Sequence, residues 1–325
     1  MTKDPARVLH WAQWYATKQA RTLGHELFVE ADHEVSSTAF VVGSARSGTT
    51  WVGEVLSADP DTRFIMEPFD TRNAAFRGGL PQATYLAPGA QNERLGFFCD
   101  KVFTGQLRSR WSDQFNHAHH AKRRVVKDVR TVALLGWITA RYPAMPTIYV
   151  VRHPLATAWS MASLGWGAHG ELLAPDGRLD ALGERERQVL LRQSFLAEVA
   201  RWCVEQSRAL RHPNPSVQVC FYEDLVADPT SGFGEVAETL RRRSPAWANF
   251  QADLDAAARP SATSVRRQAP STVEGWVETW QGALQAATIS EGAELVEEFG
   301  LGALYGLEAT PRCAPQEIWN HVEVR

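Results

Sequence analysis

The sequence has no run that approaches the ~18 consecutive apolar residues needed to cross a bilayer, and no signal-peptide core near its N-terminus. It therefore predicts a chain without a transmembrane segment, at work in the cytoplasm. Cysteine is scarce. Cys99, Cys203, Cys220 and Cys313 show neither C-x-x-C nor metal-ligand spacing, which argues against a disulfide scaffold or a thiolate zinc site and fits reduced thiols. Excess charge of either sign is also missing: 34 Lys and Arg stand against 37 Asp and Glu, a net charge of -3, which argues against a nucleic acid held by bulk positive charge. The cluster Lys122-Arg123-Arg124 is left as a local anion-site candidate, whereas Arg241-Arg242-Arg243 reads as a solvated helix end. His117, His119 and His120 have no H-E-x-x-H spacing or carboxylate partner, so no metal is expected. No Gly/Ser/Pro-rich linker divides the 325 residues, which predicts one domain over 1–325.

What the sequence does contain is a phosphate-binding loop with one residue exchanged. Gly43-Ser44-Ala45-Arg46-Ser47-Gly48-Thr49-Thr50 follows the apolar run Ala39-Phe40-Val41-Val42, but Thr49 stands where a nucleotide triphosphatase keeps its lysine. Glycines still permit a tight turn after a strand, and the turn still presents backbone N–H groups and a helix N-terminus to one anion. The ammonium that would reach the β and γ phosphates is missing. Arg46 supplies positive charge from another place, which suits a nucleotide with one short 5′ anionic arm.

Read coarsely, strands at 39–43, 63–66, 123–127, 147–152 and 217–221 alternate with helices at 49–58, 131–141, 154–164 and 184–211. That alternation predicts βαβ units and a mostly parallel sheet, with ligands gathered beyond the C-terminal strand ends. Arg46, Glu67, Lys127, Arg152 and Tyr222 each lie at or just past the end of an expected strand, so they should converge on one crevice. Val8, Trp11, Trp14 and Tyr15 predict an amphipathic helix over about 5–30, packed on the core. The glycine- and proline-bearing stretches 71–120 and 163–183 read as substrate-facing insertions, the second as a mobile lid.

Four segments together resemble the sulfotransferases that use 3′-phosphoadenosine-5′-phosphosulfate (PAPS): Arg46-Ser47-Gly48-Thr49-Thr50, Thr147 to Ser160, Val219 to Leu225, and more loosely Ser261 to Arg267 with Trp276 and Trp280. The resemblance implies a P-loop-NTPase-like three-layer α/β fold, with a central mostly parallel sheet flanked by helices and a nucleotide-binding core over about 38–280. It implies that Arg46, Ser47, Gly48, Thr49 and Thr50 bind the 5′ phosphate. Arg152 and Ser160 would then grip the 3′-phosphate, with Trp51 and Tyr222 near the adenine and Ser264, Arg266 and Arg267 in a covering loop. A guanidinium fork and a hydroxyl suit a dianionic monoester.

Glu67, in Ile65-Met66-Glu67-Pro68-Phe69, sits where the carbohydrate and tyrosylprotein branches place a catalytic glutamate. The cytosolic small-molecule branch uses a histidine in Lys-x-His, but here Val126-Lys127-Asp128-Val129 puts a valine in that place. The resemblance therefore favours Glu67 as the base, Lys127 on the sulfuryl group and Arg46 stabilising charge on the bridging oxygen. It implies PAPS as donor, no required metal, and a small-molecule or glycan hydroxyl as acceptor. Two other classes share the loop: a phosphotransferase or nucleotide triphosphatase, and a module that binds the nucleotide without turnover.

Overall fold

The computed structural model describes residues 28–81, 83–164, 194–264 and 272–320. The helix expected over 5–30 lies outside these except for its last residues, where Val29–Glu30 instead form a short strand, β1. Residues 165–183 of the second insertion, Arg266 and Arg267 also lie outside the described residues. Among the described residues no helix is long and apolar enough to cross a membrane.

The central sheet contains β2 (Thr38–Val42), β3 (Thr62–Met66), β5 (Arg123–Asp128), β6 (Thr147–Val151) and β7 (Gln218–Phe221) in the order β3-β5-β2-β6-β7, every pair parallel. A two-residue β4 (His120–Ala121) pairs with β1 beside it. Helices α1 (Thr49–Leu56), α2 (Glu93–Phe103), α3 (Leu135–Arg141), α4 (Pro154–Ser163), α5 (Ser194–Ala209), α6 (Tyr222–Ala227) and α7 (Pro229–Arg243) flank it.

Burial on both faces explains why β2 and β6 read as unbroken apolar runs. Alternate residues enter different cores: Phe40, Val42, Val126, Tyr149 and Val151 join one apolar cluster, while Ala39, Val41, Val125, Ile148 and Val150 join the other. Register then fixes where the strands end. Val42 pairs with Asp128 and with Tyr149, Met66 with Lys127, and Val151 with Phe221. The residues that leave these strands therefore emerge on one edge of the sheet.

Three elements differ from the sequence expectation. The insertion at 71–120 contains α2, whose Asn92 cap accepts a hydrogen bond from Leu95 N–H at 3.0 Å. Leu95, Phe98, Cys99 and Val102 are buried at helical spacing, a signal that the surrounding glycines and prolines obscured. The helix expected over 131–141 splits into a 3-10 turn, Val132–Leu134, and α3. Lastly, Lys122, Arg123 and Arg124 do not form an anion site. At the opposite end of the sheet they pair with Asp61 (2.6 Å), Asp59 (2.6 Å) and Glu30 (3.0 Å): Arg123 and Arg124 enter the strand buried and need carboxylates there, while Lys122 pairs at the exposed rim.

Candidate functional site

The loop between β2 and α1 is shaped by two glycines. A Cβ on Gly43 would lie 2.3 Å from the carbonyl oxygen of Val150, and Gly48, with φ of 93°, would carry its Cβ to 2.5 Å from the Tyr222 ring. Close packing of the loop against β6 and α6 therefore requires both. Gly48 precedes α1, so the first N–H groups of the helix have no intrahelical acceptor and face outward with the dipole. Thr49 and Thr50 are buried in the first turn, and Ser47 is fully buried with its Oγ lacking a hydrogen-bond partner among the described residues.

Arg46 stands at the crest with φ of 68°, a left-handed conformation that costs a non-glycine residue about 1–3 kcal/mol and concentrates at functional sites. Its Nε donates to Ser160 Oγ at 3.0 Å and its Nη1 to the Thr263 carbonyl at 3.0 Å. Arg152 donates from Nη1 to the Arg46 carbonyl at 3.0 Å and lies 4.2 Å above the Tyr222 ring centroid, while its buried Nε has no partner among the described residues. Burial, followed by the neighbouring charge of Arg152, pushes the Arg46 guanidinium down to about 10, against the opposing pull of Glu67. Arg46, Arg152, Ser160 and Tyr222, widely separated in sequence, are thus brought together.

Glu67, φ 42°, is the second strained residue at a strand end. Its N–H donates to the Lys127 carbonyl at 2.7 Å, and its own carbonyl accepts from Trp111 Nε1 at 3.0 Å. Lys127 Nζ meets Glu67 Oε1 at 2.5 Å in an almost dry setting, the two side chains being 3% and 13% exposed, and Arg72 approaches from the solvent side at 3.7 Å. The turn that carries Glu67 is anchored by Asp128, a residue to which sequence reasoning gave no first role. Fully buried, Asp128 accepts from the N–H groups of Arg130 (2.7 Å), Thr131 (3.0 Å) and Phe69 (3.3 Å). Burial and then the charge of Glu67 push its carboxyl up to about 6.

Trp51 is 8% exposed, donates to the Ala257 carbonyl at 3.1 Å and meets Tyr222 and Phe233 edge-on at 5.8 and 5.1 Å. It thus packs into the core beneath Tyr222. Ser264 follows directly on Thr263, whose carbonyl touches Arg46. Among the described residues no group of three or more His, Cys, Asp or Glu side chains is placed to hold a metal ion.

Glu223 was legible only as part of the segment Val219 to Leu225, and Tyr305, whose hydroxyl donates to its Oε2 at 2.9 Å, carried no signal in the sequence. Burial pushes the Glu223 carboxyl up to about 7, opposed by the His153 N–H and by Arg152. In the unfolded chain this carboxyl ionises from about 4.5 upward, so between about 4.5 and 7 the folded state holds the extra proton and loses stability as pH rises. Glu223→Gln removes that titration. The melting temperature of the native protein should therefore fall relative to Glu223→Gln across this window and run parallel to it above; a constant difference from pH 5 to 8 would contradict the buried carboxyl's role.

A family model described as the sulfotransferase family matches residues 39–244, more than half of the chain. No curated protein matches the sequence. Similar solved structures include a sulfotransferase domain from the Synechococcus PCC 7002 olefin synthase, 15% identical over 84% of this chain and 98% of that one with a TM-score of 0.42. A sulfotransferase from Alicyclobacillus acidocaldarius is 14% identical over 80% and 94%, TM-score 0.37. One from Mycobacterium avium is 12% identical over 82% and 76%, TM-score 0.38.

Proposed function

The chain belongs to the sulfotransferase family, and on that premise we propose that it transfers a sulfuryl group from PAPS to a hydroxyl of a carbohydrate, glycolipid or secondary metabolite. One observation carries the donor reading: Ser47 Oγ and Arg152 Nε, on and against the β2–α1 loop, are buried with no partner among the described residues, and Arg152 itself donates to the Arg46 carbonyl. Leaving such an atom unsatisfied costs about 1–3 kcal/mol, so one on the loop and one on the arginine against it, with Arg46 close by, fit an anion that completes both. Thr49 in place of lysine favours a single 5′ arm over a triphosphate.

In this reading residues 46–50 hold the 5′ phosphate, and Arg152 with Ser160 holds the 3′-phosphate. Tyr222, backed by Trp51, forms the wall for the adenosine. The contact between the Thr263 carbonyl and Arg46 supports placing Ser264 beside the nucleotide, and the resemblance adds Arg266 and Arg267 as further candidates for it. PAPS, when bound, supplies an activated sulfuryl group whose release leaves negative charge on the 5′ phosphate. Arg46 stabilises that charge as it develops, and Lys127 neutralises the sulfuryl oxygens. Glu67 takes the proton of the acceptor hydroxyl. Its pairing with Lys127 at 2.5 Å holds it oriented until the acceptor arrives.

Calorimetry with 3′,5′-adenosine bisphosphate, 5′-AMP, ADP, and ATP with Mg²⁺ tests the reading without knowledge of the acceptor. The bisphosphate should bind most tightly. Arg152→Ala should weaken it about tenfold or more, since a charge-assisted phosphate contact contributes about 1.5–3 kcal/mol. Preference for ATP with Mg²⁺ would return the chain to the phosphotransferases.

A further inference from the structure

His153, directly after Arg152, begins a buried network that reaches the C-terminal part of the chain. Its ring stacks on Trp280 (centroids 4.4 Å apart, planes at 22°) and meets Tyr305 edge-on at 4.9 Å, and its Nε2 lies 3.3 Å from the Gly306 carbonyl. Its N–H donates to Glu223 Oε1 at 3.0 Å, while the Tyr305 hydroxyl donates to Glu223 Oε2 at 2.9 Å. Both oxygens of one fully buried carboxyl are thus used to join the β6–α4 turn to a segment beyond the residues that the family model matches.

The preceding residue works on the same arginine. Tyr222 lays its ring under the Arg152 guanidinium at 4.2 Å, in the space that Gly48 leaves open. Arg152 is therefore fixed twice by one dipeptide: Tyr222 sets the plane of its side chain, and Glu223 sets the backbone that follows it. A carboxyl is a costly means of merely filling a core, because an apolar side chain would pack there without desolvating a charge. It does supply two directed acceptors, one for the turn that follows Arg152, whose Nε is left unsatisfied among the described residues, and one for Tyr305.

We propose that Glu223 and Tyr305 are positioning residues that determine recognition of the 3′-phosphate: the carboxyl, steadied by the Tyr305 hydroxyl, holds the β6–α4 turn so that Arg152 lies on Tyr222 with its Nε left for the phosphate. This rests on Arg152 as the 3′-phosphate contact. It makes the C-terminal segment part of donor selection.

The test is the ratio of affinities for 3′,5′-adenosine bisphosphate and 5′-AMP, measured by calorimetry on the full chain alongside the melting temperature. Tyr305→Phe removes a single hydroxyl, so it keeps the test decisive even if Glu223→Ala fails to fold. Tyr305→Phe, and Glu223→Ala where folded, should each lower the ratio about fivefold or more with 5′-AMP affinity held within about twofold, because only the 3′-phosphate contact is displaced. Glu223→Gln, which keeps an oxygen for His153 and a polar group for Tyr305, should restore the native ratio. If Tyr305→Phe lowers the melting temperature but leaves the ratio native while Arg152→Ala abolishes it, Glu223 and Tyr305 are scaffold only and the proposal falls, with the donor reading intact. A native protein that shows no preference for the bisphosphate overturns both together.

Discussion

Glu67→Gln is expected to lower sulfuryl transfer about a hundredfold or more while the affinity for 3′,5′-adenosine bisphosphate stays within about twofold, the range that removal of a general base produces. Glutamine keeps the shape of the side chain and its contact with Lys127, so the turn and its strained φ of 42° need not change. What it removes is the proton acceptor. Nucleotide affinity should hold because the Arg46, Ser160 and Arg152 contacts come from β2, β6 and α4, not from the β3 end that carries Glu67. Transfer of labelled sulfate to an acceptor found by screening, with calorimetry on the same preparation, separates the two effects. Transfer at native rate by Glu67→Gln would assign the base elsewhere. Asp128 would be a poor replacement: it is buried, and its oxygens are committed to three backbone N–H groups.

Glu30→Ala should cost about 3–5 kcal/mol of stability, the loss typical when one partner of a buried ion pair is deleted and the other is left uncompensated. Here Arg124 loses its carboxylate partner and Arg63 loses one of two. Arg63 Nη1 lies 2.7 Å from Glu30 Oε2 and Arg124 Nε 3.0 Å from Glu30 Oε1, with all three side chains at most 1% exposed. Asp113 pairs with Arg63 at 2.8 Å, whereas the remaining hydrogen bonds of Arg124 go to neutral oxygens of Asp32, Glu34, Thr38 and Phe103. Gly105 leaves the room that the network needs, since a Cβ there would come within 2.6 Å of the Glu30 carboxyl carbon. The network stands at the end of the sheet where β3 and β5 begin. Denaturant unfolding should therefore show a lower midpoint, with bisphosphate affinity unchanged under folding conditions. A loss below about 1 kcal/mol would mean that desolvation of the three groups nearly cancels their attraction.

The local signals that succeeded were those in which few residues decide the outcome. An apolar run before Gly43, and Pro154 at the first turn of α4, place the strand ends to within a residue or two. Strand-end logic then brought Glu67, Lys127, Arg152 and Tyr222 to one edge without any long-range information. It failed at α2, where capping by Asn92 and a helical stripe sit among turn-forming residues, and at Lys122-Arg123-Arg124, whose carboxylate partners are far away in sequence. Basic residues in a row look alike whether they face an anion or are buried against carboxylates.

The sequence by itself determined the parallel α/β order, the altered phosphate loop and the identity of the side chains at each strand end, because these follow from backbone period, glycine geometry and local spacing. Only the tertiary structure decided which of those side chains touch. The pairing of Lys127 with Glu67, the ring of Tyr222 under Arg152, and the closing of Glu223 by Tyr305 depend on strand register and on the return of the C-terminal segment. Such contacts form between residues distant in sequence, and their energy comes from burial that no local pattern encodes.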